Sequence, residues 1–145
     1  MTKDLGYEPP RAEIHAFKYE HEKACADIFV TLDLSGKLLG WEQHKKLGTS
    51  IIPDRTAILD GTVYIEVEMG SQDKIKQKAE SYTRYFQETK KQFSVWFLVK
   101  EQRHYDSGLE YLRHFPSAYS IELLDVFNAS SVSNPSSDNS SDRLI

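Results

Sequence analysis

The chain has 145 residues, with 18 Lys and Arg against 22 Asp and Glu and 39% hydrophobic residues. That length suits one domain with a core of its own and needs no staple. The single Cys25 excludes an intramolecular disulfide and a Cys-rich zinc site, and it points to a reducing, cytoplasmic home with no disulfide-linked partner.

In chain order, residues 1–12 hold Gly6, Pro9 and Pro10 without an apolar period, and a flexible arm is expected there. Met1-Thr2-Lys3-Asp4 offers no apolar run of the signal-peptide kind. From Glu13 the steps Ile14, Phe17, His21, Ala24/Cys25, Ile28 and Leu32 predict a helix over Glu13–Ser35, with Gly36 ending it. Leu38–His44 reads as a strand, Lys45–Gly48 as a turn and Ser50–Leu59 as a second strand. Asp60-Gly61 is a hairpin signal, and Thr62–Glu68 then alternates Val63, Ile65 and Val67 against Tyr64, Glu66 and Glu68. Gln72–Glu88 is predicted helical, with the apolar stripe Ile75, Ala79, Tyr82 and Phe86 and a Lys-rich outer face. Phe93–Val99 is the pattern of a strand covered on both faces. Its core Val95–Val99 is the longest apolar run, too short to span a membrane. A short helix over Ser107–His114 is stopped by Pro116, and Ile121–Phe127 is the last expected strand. From Ala129 seven serines in seventeen residues predict a disordered tail. The single domain is therefore 13–128, an α/β fold with a central mixed sheet, because the helix between Glu68 and Phe93 is a crossover.

The charge is unevenly spread. Residues 37–104 carry twelve basic and nine acidic groups, whereas the segments on either side are net negative. Three acids in that basic block stand out. Asp54 and Glu66 lie six residues on either side of Asp60, so a hairpin there sets them nearly opposite each other. Glu66 and Glu68, at i and i+2, share one face of their strand. Three converging carboxylates repel one another, and a divalent cation is the common remedy; all-oxygen ligands select Mg²⁺ or Mn²⁺. As residues alone, the two glutamates also fit a solvated sheet face, Lys78 a solvated helix face and Tyr82 the apolar stripe. His21 and Cys25 read as core residues of the first helix. No GxxxxGK[ST], GxGxxG or HExxH spacing is present.

The string IIPDRTAILDGTVYIEVEMGSQDKIKQKAESYTRYF resembles the PD-(D/E)XK nuclease superfamily, with Pro53-Asp54 as the PD and Glu66-Val67-Glu68 in the place of (D/E)XK. Within it the chain is most similar to the replication-relaxation family of plasmids and other mobile elements. That likeness runs through His21, Trp41-Glu42, Pro53-Asp54, Glu66/Glu68 and Lys78-x-x-x-Tyr82 and covers roughly residues 13–115. The resemblance implies a restriction-endonuclease-like αβββαβ core and a metal-dependent nuclease or nuclease-like DNA-processing protein. Asp54 and Glu66 would be the metal ligands, the Val67 carbonyl a further one, Glu68 a ligand or general base, and Glu42 an outer ligand. Glu68 stands where the motif has Lys, so Lys78 is the candidate to stabilise phosphoryl charge, with Tyr82 holding its ammonium. Without its three acids the central block keeps twelve basic groups against six, a surround suited to DNA. Relatives commonly carry a helix-turn-helix domain before this region, so the resemblance implies either a protein partner supplying DNA targeting or a chain that works without it. The alternative is a catalytically degenerate module of the same fold that binds DNA or docks proteins during plasmid replication or relaxation. A small adaptor unrelated to nucleic acid is the blandest reading of an acidic chain.

Overall fold

The computed structural model describes residues 8–43, 45–48, 51–69, 74–116 and 118–133, with side chains described between 18 and 129. Its sheet is built outward from the hairpin. β2 (Arg55–Leu59) and β3 (Gly61–Glu68) pair antiparallel about Asp60, from Leu59↔Gly61 to Arg55↔Ile65. Gly61, at φ +128°, takes a backbone that side-chain-bearing residues rarely adopt. β1 (Gly40–Gln43) runs antiparallel along β2, with Glu42 opposite Thr56. β4 (Ser94–Val99) and β5 (Tyr119–Leu123) follow in parallel beyond β3, giving the order β1-β2-β3-β4-β5.

Two crossovers make those parallel pairs, α2 (Ile75–Thr89) and α3 (Gln102–Leu112). Crossovers of one hand that step the same way across a sheet place their helices on the same face. There Ile75, Ala79, Tyr82 and Tyr85 of α2 and Leu112 of α3 bury Tyr64, Val95, Phe97 and Val99. α1 (Glu8–Leu34) and α4 (Leu124–Ser133) cover the other face, with Ala24, Cys25, Ile28, Leu32 and Leu124 packed on Ala57, Val63, Ile65, Val67 and Leu98. Thr31 of α1 donates to Asn128 of α4 at 2.7 Å. The protein is thus an α/β sandwich with a five-stranded mixed sheet between helices. β4 is covered on both sides, as the run through Val99 predicts, and so is β3.

Several boundaries differ from the sequence reading. α1 begins at Glu8, so residues 8–12 are its first turns rather than part of an arm; Pro9 and Pro10 are tolerated where helical N–H groups have no intrahelical acceptor. It ends at Leu34, with Gly36 left-handed at φ +77°. The expected strand Ser50–Leu59 shrinks to β2. Pro53, buried and without an N–H, precedes it, and Ile51 makes only an isolated bridge to Leu47. α3 starts five residues before Ser107, because its inward positions are His104, Gly108 and Leu112, and the first two hide the apolar period. The expected strand Ile121–Phe127 is divided: β5 stops at Leu123 and the chain turns helical at Leu124, so Ala129–Ser133 continue α4 instead of opening a tail. An apolar run of this length fits either structure until its partners are known. His44, Ser50, Gln72 and the tail from residue 134 lie outside the described residues.

Candidate active site

The acids gather at the C-terminal end of β3. The antiparallel ladder stops at Arg55↔Ile65, so Val67 has no strand across from its N–H. The Asp54 side chain takes that place and accepts from the Val67 N–H at 2.8 Å. His21 of α1 brings Nε2 to 3.4 Å from the same carboxylate oxygen. Burial alone would raise the Asp54 pKa, but the His21 hydrogen bond, the Lys78 charge and the Val67 N–H outweigh it and hold the carboxyl below its ordinary value. His21 is pushed up to about 10, chiefly by its bond to Asp54 and then by Cys25, so it is a cation at neutral pH. Beside it the buried guanidinium of Arg55 donates to the Asp54 carbonyl at 2.6 Å and to Glu22 Oε1 at 2.6 Å.

Glu66 and Glu68 point from β3 toward α2 and are 2% and 6% exposed, so the solvated-face reading does not hold. Lys78 and Tyr82, one helical turn apart, reach down onto them. Lys78 Nζ lies 2.9 Å from Glu66 Oε1 and 2.8 Å from Glu68 Oε2. Tyr82, 1% exposed, donates its hydroxyl to Glu66 Oε2. The expected Tyr82–ammonium bond is therefore replaced by one to the carboxylate. Burial drives Glu66 up to about 7, although Lys78 opposes it; the neighbouring Asp54 charge adds to the rise. Burial would lower Lys78, yet Glu66, Glu68 and Asp54 together hold it above the ordinary lysine range. Tyr82 is likewise raised, first by burial and then by Glu66.

Asp54, Glu66, Glu68, Lys78 and Tyr82 thus form one cluster, with the ammonium as the countercharge of three acids. Glu42 stands apart on β1: half-exposed and opposite Thr56, it pairs with Lys45 at 3.3 Å, so the outer-ligand expectation gains no contact with the cluster. Sequence reasoning missed Glu22 and Arg55 and took His21 for a core residue. The available signal was Arg55 itself, a cation in an inward strand position shared with buried Ala57, where an acid partner is required.

Donor chemistry at the cluster fits a hard divalent cation, since Asp54, Glu66, Glu68 and the Val67 carbonyl offer oxygen alone. Among the described residues no three His, Cys, Asp or Glu side chains stand as a ready-made metal cage. Both Glu66 oxygens are engaged, one by Lys78 and the other by Tyr82. No helix among the described residues is long and apolar enough to cross a membrane, and Cys25 is a buried free thiol. No protein-family model, curated protein or solved structure matches the chain.

Proposed function

We propose that the chain is a metal-dependent nuclease of the PD-(D/E)XK kind, acting on DNA of a plasmid or other mobile element. The observation that carries this reading is the Lys78 ammonium set between Glu66 and Glu68 beside Asp54. Phosphodiester hydrolysis needs acids to hold Mg²⁺ or Mn²⁺ and a cation to offset charge building on the phosphoryl oxygens; Lys78 supplies the second from a helix where the motif takes it from a strand. The order α1-β1-β2-β3-α2-β4, with an antiparallel meander and a parallel β4, also agrees with the restriction-endonuclease-like core.

When bound, the metal polarises the scissile phosphate and activates water. The chain's own residues divide the remaining work. Asp54 and Glu66 would hold the ion, Glu66 giving up its Lys78 contact to do so, and the Val67 carbonyl would be a further ligand. Glu68 adds a ligand or takes the proton of the attacking water. Tyr82 fixes the Glu66 carboxylate, and Lys78, 30% exposed, is the one member able to face a phosphate from the surface while touching both glutamates. Basic residues of the central block would hold the DNA backbone.

Lys78 also supports a second reading. An ammonium bonded to two carboxylates can be a purely structural countercharge, in which case the fold is a degenerate module that binds DNA or docks proteins. Thermal melting with Mn²⁺ and nicking of supercoiled plasmid separate the two. A hundredfold excess over the dissociation constant stabilises by roughly 2.7 kcal/mol. The nuclease reading expects a clear Mn²⁺-induced rise in Tm for the wild type and little for Asp54→Asn. It also expects nicking that Lys78→Met abolishes and Lys76→Met leaves unchanged. Equal Mn²⁺ responses in wild type and Asp54→Asn, with no nicking by either, would select the degenerate module.

A further inference from the structure

We propose that Glu22 and Arg55 are positioning residues that lock Asp54 into the site from the opposite face of the sheet; as a contribution to catalysis, this rests on the nuclease reading above.

The sheet does not fix Asp54 by its own ladder. β2 begins only at Arg55, and Pro53 has no N–H to donate, so the two residues before the strand have no paired rung. Arg55 does that work. Its side chain, 5% exposed, lies on the face of the sheet that carries Ala57, Ile65 and Val67. A guanidinium there is costly, and an apolar residue of similar volume would serve stability as well. What an apolar residue cannot do is fork between two acceptors. Arg55 donates one arm to the Asp54 carbonyl and the other to Glu22 Oε1, each at 2.6 Å, which ties the Asp54 peptide to α1.

The neighbouring residue of α1 completes the hold. His21 lies against the Asp54 carboxylate, while its other ring nitrogen is 3.8 Å from Glu22 Oε2. Asp54 is thus gripped at its backbone through Arg55 and Glu22 and at its side chain through His21. The shared anchor is Glu22, which meets Arg55 and His21 on the α1 side of the sheet. Because its side chain is 44% exposed, it can be exchanged without opening the core.

The Val67 amide gives a readout independent of chemistry. Its proton goes to the Asp54 carboxylate rather than to a strand, so its hydrogen exchange reports whether Asp54 is in place. In Glu22→Ala, we expect Val67 to exchange at least tenfold faster, with Val95 and Phe97 unchanged as core controls, and Mn²⁺ affinity to fall by a similar factor. Glu22→Gln, which keeps an acceptor for Arg55, should stay within about threefold of wild type. Arg55→Lys, whose single ammonium lacks the fork, should fall between the two and serves if Glu22→Ala does not fold. Val67 exchange within twofold of wild type in Glu22→Ala, or in Arg55→Lys if that is the variant that folds, overturns the clamp. Faster Val67 exchange in a protein whose wild type neither binds Mn²⁺ nor nicks DNA upholds the clamp and rejects the nuclease reading instead.

Discussion

Replacing Lys78 by Met is the sharpest test of how the site is held together. The substitution roughly conserves side-chain volume and removes the cation lying 2.9 Å from Glu66 and 2.8 Å from Glu68. Breaking a buried ion pair from one side costs about 3–5 kcal/mol when the abandoned group stays charged. Glu66 has a way out, since with Lys78 present it already titrates at about 7 against an ordinary 4.5. A carboxyl whose folded pKa is raised binds a proton more tightly in the native state than in the unfolded one. The destabilisation from that shift is absent below pH 4.5 and complete above pH 7, where it amounts to roughly 3 kcal/mol. Without Lys78 the Glu66 pKa rises further, so the variant pays most when pH is high. Urea unfolding in EDTA, followed by Trp41 and Trp96 fluorescence, should show a loss of about 3–5 kcal/mol at pH 8. At pH 5, with Glu66 protonated in both proteins, Lys78 is missed only by Glu68 and, more weakly, by Asp54, and the loss should fall to about 1–2 kcal/mol. Lys76→Met, whose ammonium stands over the Tyr111 ring at 5.7 Å, should cost under about 1 kcal/mol at either pH. A Lys78→Met penalty below about 1 kcal/mol at pH 8, or one that does not change with pH, would refute the assignment of Lys78 as countercharge to buried acids.

Tyr82→Phe leaves Glu66 Oε2 without its donor and should lower stability by about 1–3 kcal/mol in the same assay. His21 titrates at about 10 in the fold against 6.5 unfolded, so its contribution is fully present below pH 6.5 and fades as pH rises through 10. The margin of metal-free wild type over His21→Gln should shrink over that window; a margin that grows there would reverse the sign. Asp54, held below its ordinary 3.8, should cut the same margin as acid protonates it. Lys90 caps α2 in the left-handed region at φ 61° while its N–H bonds the Phe86 carbonyl at 2.8 Å. Lys90→Gly relieves the side-chain penalty and keeps the bond, so calorimetry should show a gain of about 0.5–1 kcal/mol.

The part of the site that follows local rules was legible. Counting from Asp60 set Asp54 against Glu66, and the ladder at Arg55↔Ile65 keeps that count. Strand alternation put Glu66 and Glu68 on one face, and helical spacing put Lys78 above Tyr82. What periodicity could not show is what covers each face. Tyr64, Glu66 and Glu68 look like the wet side of a hairpin until α2 packs over them, and only then does Tyr82 find a carboxylate rather than an ammonium. Arg55 was opaque for a similar reason: its partner Glu22 lies 33 residues earlier, on a helix across the sheet. In α3, buried His104 and Gly108 hold positions where a period reader looks for Leu.

The strand order β1-β2-β3-β4-β5 repeats the order of the chain. Every strand is laid beside the one made just before it, so the sheet can grow during synthesis without leaving a gap to be filled later. The growth meets one obstacle of its own making. By the time β3 is complete Asp54 already has His21 beside it, but the cation that bridges Glu66 and Glu68 is still ten residues further along the chain. Up to that point the nascent meander repels itself at its newest end. The seating of α2 is therefore the step that brings the Lys78 ammonium onto Glu66 and Glu68 and closes that face of the sheet.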